Sequence, residues 1–283
     1  MSFVLDAITK SYGATTALAG ITLEARGSEF ISIVGPSGCG KTTLLKIIAG
    51  LVEPSSGRIV FDDRDSRFPT SDFRSDAPGD VERSPGTARP EDGTNRPPLS
   101  TPLRTALVFQ DHGLLPWYDV LENVALGLRF QDRDRKHALE RARHFIVQVG
   151  LEKFLHHKPH QLSIGMRQRV GIARAFVADP QILLLDEPFG SLDAQTRLVL
   201  QQELLRIWAE HRKLVVHVTH DIDEAILLSD RILVMSGRPA RIREEIPIPF
   251  ARPRTLDAAT AAIHRRIWNI LEEEVRESLC VPL

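Results

Sequence analysis

The chain has 283 residues, 36 basic and 37 acidic, for a formal net charge of -1. That length admits one large domain or two small ones with a substantial core, and the even charge balance argues against nucleic acid as a partner, which favours a basic surface. The two cysteines, Cys39 and Cys280, show neither a pairing nor a metal-binding spacing, which fits a reducing compartment.

The opening segment MSFVLDAITK has no basic region followed by a long apolar run, so it does not read as a secretory leader. No stretch reaches the ~18 apolar residues of a spanning helix. Any work at a membrane is therefore expected to run through a partner. From Phe3 to Leu23, apolar and polar residues alternate around SYGATTAL, the pattern of antiparallel strands. EFISIVG, Glu29 to Gly35, is a short β-branched run of the buried-strand type. KTTLLKIIAGL then spaces Leu44, Leu45, Ile48 and Leu51 as a helix does.

Between that strand and that helix lies GPSGCGKTT, which matches G-x-x-x-x-G-K-[ST]. Gly35, Gly38 and Gly40 let the backbone of Gly35, Pro36, Ser37, Gly38, Cys39 and Gly40 wrap around phosphate oxygens, with helix-start amides pointing inward as donors. Lys41 is expected to reach the β- and γ-phosphates of ATP and Thr42 to ligate Mg²⁺, with Thr43, the next residue, also counted in the phosphate-binding set. A helix N-terminus can lower a thiol pKa, so alkylation of Cys39 is expected to block ATP binding.

SGRIVFD reads as a further strand. From Asp62 to Pro102, seven prolines (Pro69, Pro78, Pro85, Pro90, Pro97, Pro98 and Pro102) punctuate a charged, aliphatic-poor stretch. That composition is of a loop or disordered insertion, expected to be dispensable. A strand resumes at Arg104 to Gln110, and amphipathic helical segments fill Val120 to Leu155. ILLLDEP, Ile182 to Pro188, is a strand ending in two carboxylates. Asp186 is placed to join the Mg²⁺ shell and Glu187 to polarise an attacking water. LVVHVTHD is another buried strand, with His220 at the end where α/β sheets carry ligands. His156, His157 and His160 cluster in HHKPH, but nothing completes a metal set, so they read as a solvated loop. ARIREEIPI is a last strand, followed by a helix near Ala258 to Leu279. Alternating apolar strands and helices imply a largely parallel α/β core.

Six pieces occur in order: the phosphate loop, Gln110 after LVF, LSIGMRQRV, LLLDEP, GSLDA and VTHD. This set resembles the ABC (ATP-binding cassette) ATPase family, over nearly the whole chain from Phe3 to Arg238. The resemblance implies a P-loop NTPase core with an antiparallel β subdomain and a helical signature subdomain. Residues 1–238 would form the nucleotide-binding domain, with an insertion at 62–102 and the helical subdomain at about 115–175; residues 239–283 would be a strand–helix extension. It also implies roles. Tyr12 stacks on adenine; Gln110 contacts Mg²⁺ or water and senses the membrane partner. Ser163, with the backbone around Gly165 and Met166, meets the γ-phosphate; Asp193 communicates across a dimer; His220 contacts the γ-phosphate and steadies Glu187 and water.

One phosphate loop and one signature per chain imply a homodimer with two ATPs at its interface. VFQDHGLLPW and VTHDIDEAI look most like importer ATPases of the nitrate/sulfonate/taurine type. That implies a peripheral subunit on the cytoplasmic face of the inner membrane, bound to transmembrane permease subunits and served indirectly by a periplasmic binding protein. Leu114, Leu115, Pro116, Trp117 and Val120 are expected to form the groove for a permease helix. One residue departs from the pattern: Ile164 stands where a glycine is expected. A β-branched residue disfavours positive φ. The expectation is a working but weakened signature that Ile164→Gly would speed up.

Overall fold

A run of apolar residues with no polar alternation must be covered on both faces, and three strands here have that character. β3 (Phe30–Val34), β6 (Ile182–Asp186) and β7 (Leu214–Val218) are buried at every position. They form the centre of a six-stranded sheet in the order β5-β6-β7-β3-β8-β9, with β5 (Thr105–Val108) and β8 (Arg231–Met235) parallel to them. β9 (Ile242–Pro247) adds the antiparallel edge through its pairing with β8. The computed structural model describes residues 2–62, 105–111, 113–129 and 134–279. The Pro-rich stretch read as an insertion lies, beyond Asp62, outside these residues, as does Cys280.

The N-terminal alternation forms the expected hairpin. β1 (Ser2–Tyr12) pairs antiparallel with β2 (Thr15–Arg26), turning between Tyr12 and Thr15, and with β4 (Ser56–Asp62) on its other side. Phe3, Leu5, Ile8, Ile21 and Leu23 point inward and meet Leu44 and Leu45 of α1 (Lys41–Ile48) and one face of the central sheet. The opposite face packs against α2 (Val120–Arg129), α3 (Arg135–Gln148), α4 (Ile164–Val177) and α5 (Ala194–His211). α6 (Ile222–Leu228) and α7 (Ala258–Leu279) close the edge near β8 and β9.

The strand and helix at the C-terminal end are tied into the core. Arg252 pairs with Asp230 at 2.6 Å, donates twice to the Leu228 carbonyl, and lies 4.7 Å above the Trp208 ring. Asp230 in turn accepts the amide of Phe30, at the head of the central strand, at 2.8 Å. Among the described residues, no helix is long and apolar enough to cross a membrane.

Asn123 organises the loop before α2. Buried completely, it accepts from the amide of Leu115 at 2.8 Å and donates to the carbonyls of Leu115, Tyr118 and Asp119 at 3.0–3.1 Å. One amide side chain thus replaces the backbone partners that an irregular loop lacks. It also corrects the expected groove. Val120 is buried in the core at the start of α2, whereas Trp117 is 64% exposed at the tip of the loop. Asn123→Ala should leave those loop groups without partners and lower unfolding free energy by about 1–3 kcal/mol, read from denaturant titration. An unchanged midpoint would show that the loop is held by other contacts.

Candidate functional site

The phosphate loop runs from the end of β3 into α1, and its shape is set by backbone that only glycine adopts. Gly40 has φ 129°, and a Cβ there would sit 2.9 Å from Cδ2 of Leu18. As the N-cap of α1, Gly40 offers no side chain to the first-turn amides. Those donors are left for an anion, where the helix dipole also favours negative charge. Lys41 is buried, and its Nζ donates to the carbonyls of Gly35 at 2.8 Å and Pro36 at 3.0 Å. Ser37 and Gly38 form the exposed rim, and Pro36 and Thr43 are half-buried.

Thr42 joins this loop to the acidic strand end: its Oγ1 donates to Oδ1 of Asp186 at 3.0 Å. Burial raises the Asp186 carboxyl pKa, the neighbouring Glu187 charge adds to this, and the Thr42 hydrogen bond opposes it. A hydroxyl and a carboxylate side by side, the latter held against an unfavourable burial, are a donor set suited to a hard divalent cation.

Glu187 adopts φ 47°, a left-handed conformation that costs a non-glycine residue about 1–2 kcal/mol. Its amide donates to Val218 O at 2.9 Å, which holds the turn. Its Oε2 lies 3.0 Å from Nδ1 of His220 at the end of β7. Strain kept at a carboxylate that meets a histidine fits a position held for geometry rather than stability. Next in the chain, Asp221 caps α6 through the Glu224 amide and pairs with Arg197 at 2.7 Å. Arg197 also donates to the Leu192 carbonyl at 3.1 Å, beside Asp193. Asp193 caps α5 by accepting the Thr196 amide at 3.0 Å, and that bond lowers its carboxyl pKa.

Ser163 caps α4 by accepting the Met166 amide at 3.2 Å. Gly165 is buried, and a Cβ there would fall 2.8 Å from Cγ2 of Thr196, so the starts of α4 and α5 meet at that glycine. Ile164 is the first residue of α4 and is not among the positive-φ residues. The expected backbone conflict is therefore absent, and its side chain is 42% exposed.

The structure gathers Lys41, Thr42, Asp186, Glu187 and His220 at one edge of the sheet. Gln110 is exposed just after β5, whose last residue Val108 pairs with Leu185, so it emerges on the same edge. Tyr12 is 51% exposed at the end of β1, outside the strand core, with Lys10 Nζ 5.1 Å from its ring centroid. The signature stands apart: α4 packs against α2, α3, α5 and β5, whereas α1 packs on β6 and β7. His156 pairs with Asp119 at 3.1 Å, and among the described residues no group of three or more metal-ligating side chains is present. Sequence reading missed Arg238, whose Nε donates to the Gly38 carbonyl at 2.6 Å, and missed Arg197 and Asn123. Nothing in the spacing of SGRPA points to the phosphate loop; folding alone brings them together.

Comparison with known proteins agrees with this geometry. The family model described as ABC transporter matches residues 18–190. An uncharacterized ABC transporter ATP-binding protein of Methanocaldococcus jannaschii is 43% identical over 264 residues, 93% of this chain and 87% of the relative. A taurine import ATP-binding protein of Escherichia coli is 42% identical over 241 residues, 85% of this chain and 82% of the relative. Among solved structures, a dimeric bacterial ABC transporter cassette is 32% identical with a TM-score of 0.68, covering 88% of this chain and 100% of that one. The same cassette in a dimeric post-hydrolysis state with ADP and Pi gives 0.69 at the same identity and coverage.

Cys39 departs from the sequence expectation. It is 2% exposed, and burial raises its thiol pKa despite the opposing effects of Lys41 and nearby amides. A raised pKa means that thiolate appears only above the usual thiol range, so the folded protein should resist iodoacetamide at neutral pH. Mass mapping of the Cys39 peptide checks this; rapid native-state labelling would contradict it. Ile164→Gly relieves no backbone conflict, so it should not speed ATP turnover, and a clear rate gain would restore the weakened-signature expectation.

Proposed function

The chain belongs to the ABC transporter family and is an ATP-hydrolysing, ATP-binding transporter subunit, and from that premise we propose that it powers an importer of a small oxyanion such as a sulfonate, taurine or nitrate. The observation that carries the catalytic part is the pair of links Thr42–Asp186 and His220–Glu187 on one sheet edge. In this reading, first-turn amides of α1 and Lys41 hold the β- and γ-phosphates, and Tyr12 stacks on adenine. Glu187, steadied by His220, takes a proton from a water whose oxygen attacks the γ-phosphorus. The bond to the β,γ-bridging oxygen breaks and ADP leaves with that oxygen. Thr42, Asp186 and Gln110 would hold Mg²⁺, which neutralises charge on the phosphates when bound.

The separation of α4 from α1 within one chain supports a homodimer, in which Ser163, Gly165 and Met166 of each copy face ATP held by the other. Asp193, capping α5 where it meets α4, would sense the opposite copy. ATP then favours the closed dimer and loss of the γ-phosphate releases it. The exposed Trp117 loop, which follows Gln110 in the chain, supports docking of a permease helix, and so a peripheral place at the cytoplasmic face of the membrane. A periplasmic binding protein would deliver the cargo. The oxyanion assignment rests on the similarity to the taurine import protein.

Glu187→Gln should bind ATP with unchanged affinity and lose turnover by roughly 100-fold or more, while shifting ATP-bound protein toward dimer in gel filtration. Hydrolysis that survives the change would sink the role of Glu187. Trp117→Ala should keep basal ATPase but lose co-purification with the permease and its stimulation by taurine, alkanesulfonates or nitrate in proteoliposomes. Full coupling in that variant would refute the docking assignment.

A further inference from the structure

Four polar side chains lie inside the core behind the switch turn, and none has a part in the steps above. His217 on β7, Ser32 on β3 and Ser229 after α6 are 0% exposed, and Glu224 on α6 is 3% exposed. His217 Nδ1 is 2.9 Å from Ser32 Oγ, and its Nε2 is 2.6 Å from Glu224 Oε1. Ser229 Oγ contacts Ser32 Oγ and also reaches the Ala225 carbonyl at 2.6 Å.

Proton counting orders this chain. A carbonyl only accepts, so the single hydroxyl proton of Ser229 belongs to Ala225 O. Ser32 must then donate to Ser229, and His217 Nδ1–H must donate to Ser32. The close Nε2···Oε1 contact also needs a proton between its atoms, although its angle departs from an aligned hydrogen bond. The imidazole is thereby held from both sides, with the rings of Phe30 and Phe189 at 5.9 and 6.4 Å closing around it.

The placement is specific. His217 precedes His220 on β7, and Glu224 follows it on α6, so the pair pins both ends of the switch turn. Ser32 lies on the strand that leads into the phosphate loop, and Phe189 follows Glu187. A buried polar pair is a poor source of stability, because desolvation offsets its attraction. We propose that His217 and Glu224 are positioning residues for hydrolysis, which fix the register between the phosphate loop, Glu187 and the switch His220. The inference rests on the roles assigned above to Glu187 and His220.

The test replaces the whole pair with apolar residues of similar volume, since deleting one partner alone would strand a buried polar group and confuse misfolding with function. His217→Leu/Glu224→Met should melt within a few degrees of the unchanged protein. Its KM for ATP should stay within about twofold and its kcat fall by roughly tenfold or more, as misplacement of a positioned carboxylate does. A folded double variant with unchanged kcat overturns the proposal, as does one in which KM rises while kcat holds. Should the double variant fail to fold, Glu224→Gln keeps the shape and an acceptor for His217 while replacing the carboxyl by an amide. The expected result is then a several-fold loss in kcat at constant KM, and full turnover overturns the proposal. His220→Ala separates this inference from the reading beneath it. If that variant keeps full turnover, the switch assignment fails and this inference falls with it. If it loses turnover while the double variant keeps it, only the positioning role of the pair fails.

Discussion

Parallel pairing of three wholly buried strands is the constraint on which the site depends. Ile33 and Asp186 both align with Val218, so β3, β6 and β7 end at one level. Each strand delivers one part of the candidate site where its hydrogen-bonded run stops: the phosphate loop after β3, the two carboxylates at the end of β6, and His220 after β7. A parallel sheet needs cover on both faces. The helices that provide it, α1 on one side and α4 and α5 on the other, are also those whose N-termini bear the binding motifs. The packing that covers the sheet therefore also sets the positions of the candidate site.

Much of this was legible in the chain because its signals are local. EFISIVG, ILLLDEP and LVVHVTHD announce buried strands by apolar runs, and each is followed at once by its chemistry. The hairpin at Tyr12–Thr15 and the terminal helix over Ala258–Leu279 also followed from periodicity. What escaped reading are contacts between distant segments. Arg238 reaches Gly38, and Arg252 reaches Asp230 and Trp208, through folding alone. The thiol of Cys39 was misjudged for a related reason: motif position suggested activation, but packing depth raises its pKa. At Ile164 the helix register gives the backbone no positive φ, so the conflict that a glycine would relieve does not arise.

The reactive edge carries features that stability alone would not select. Glu187 keeps a left-handed backbone, Asp186 keeps an acid whose pKa burial raises, and the first-turn amides of α1 have no side-chain cap. Each is held by something adjacent: the Val218 carbonyl, the Thr42 hydroxyl, and the Lys41 bonds across the loop. Two of these supports join segments far apart in the chain, Thr42 to Asp186 and Val218 to Glu187, so the strained groups depend on the sheet that brings those segments together.

The glycine contact between α4 and α5 has a mechanical consequence. With Gly165 lying directly against Thr196, the starts of the two helices have no slack between them. Ser163 and Asp193, each capping one of those helices, sit on what behaves as a single solid corner. In the proposed dimer, a push on the start of α4 would reach the Asp193 turn as a displacement rather than be taken up by side chains between the helices. Arg197, bonded to the Leu192 carbonyl and to Asp221, would carry it on to the residue next to His220. The missing side chain at residue 165 would then be the zero-clearance joint of that linkage.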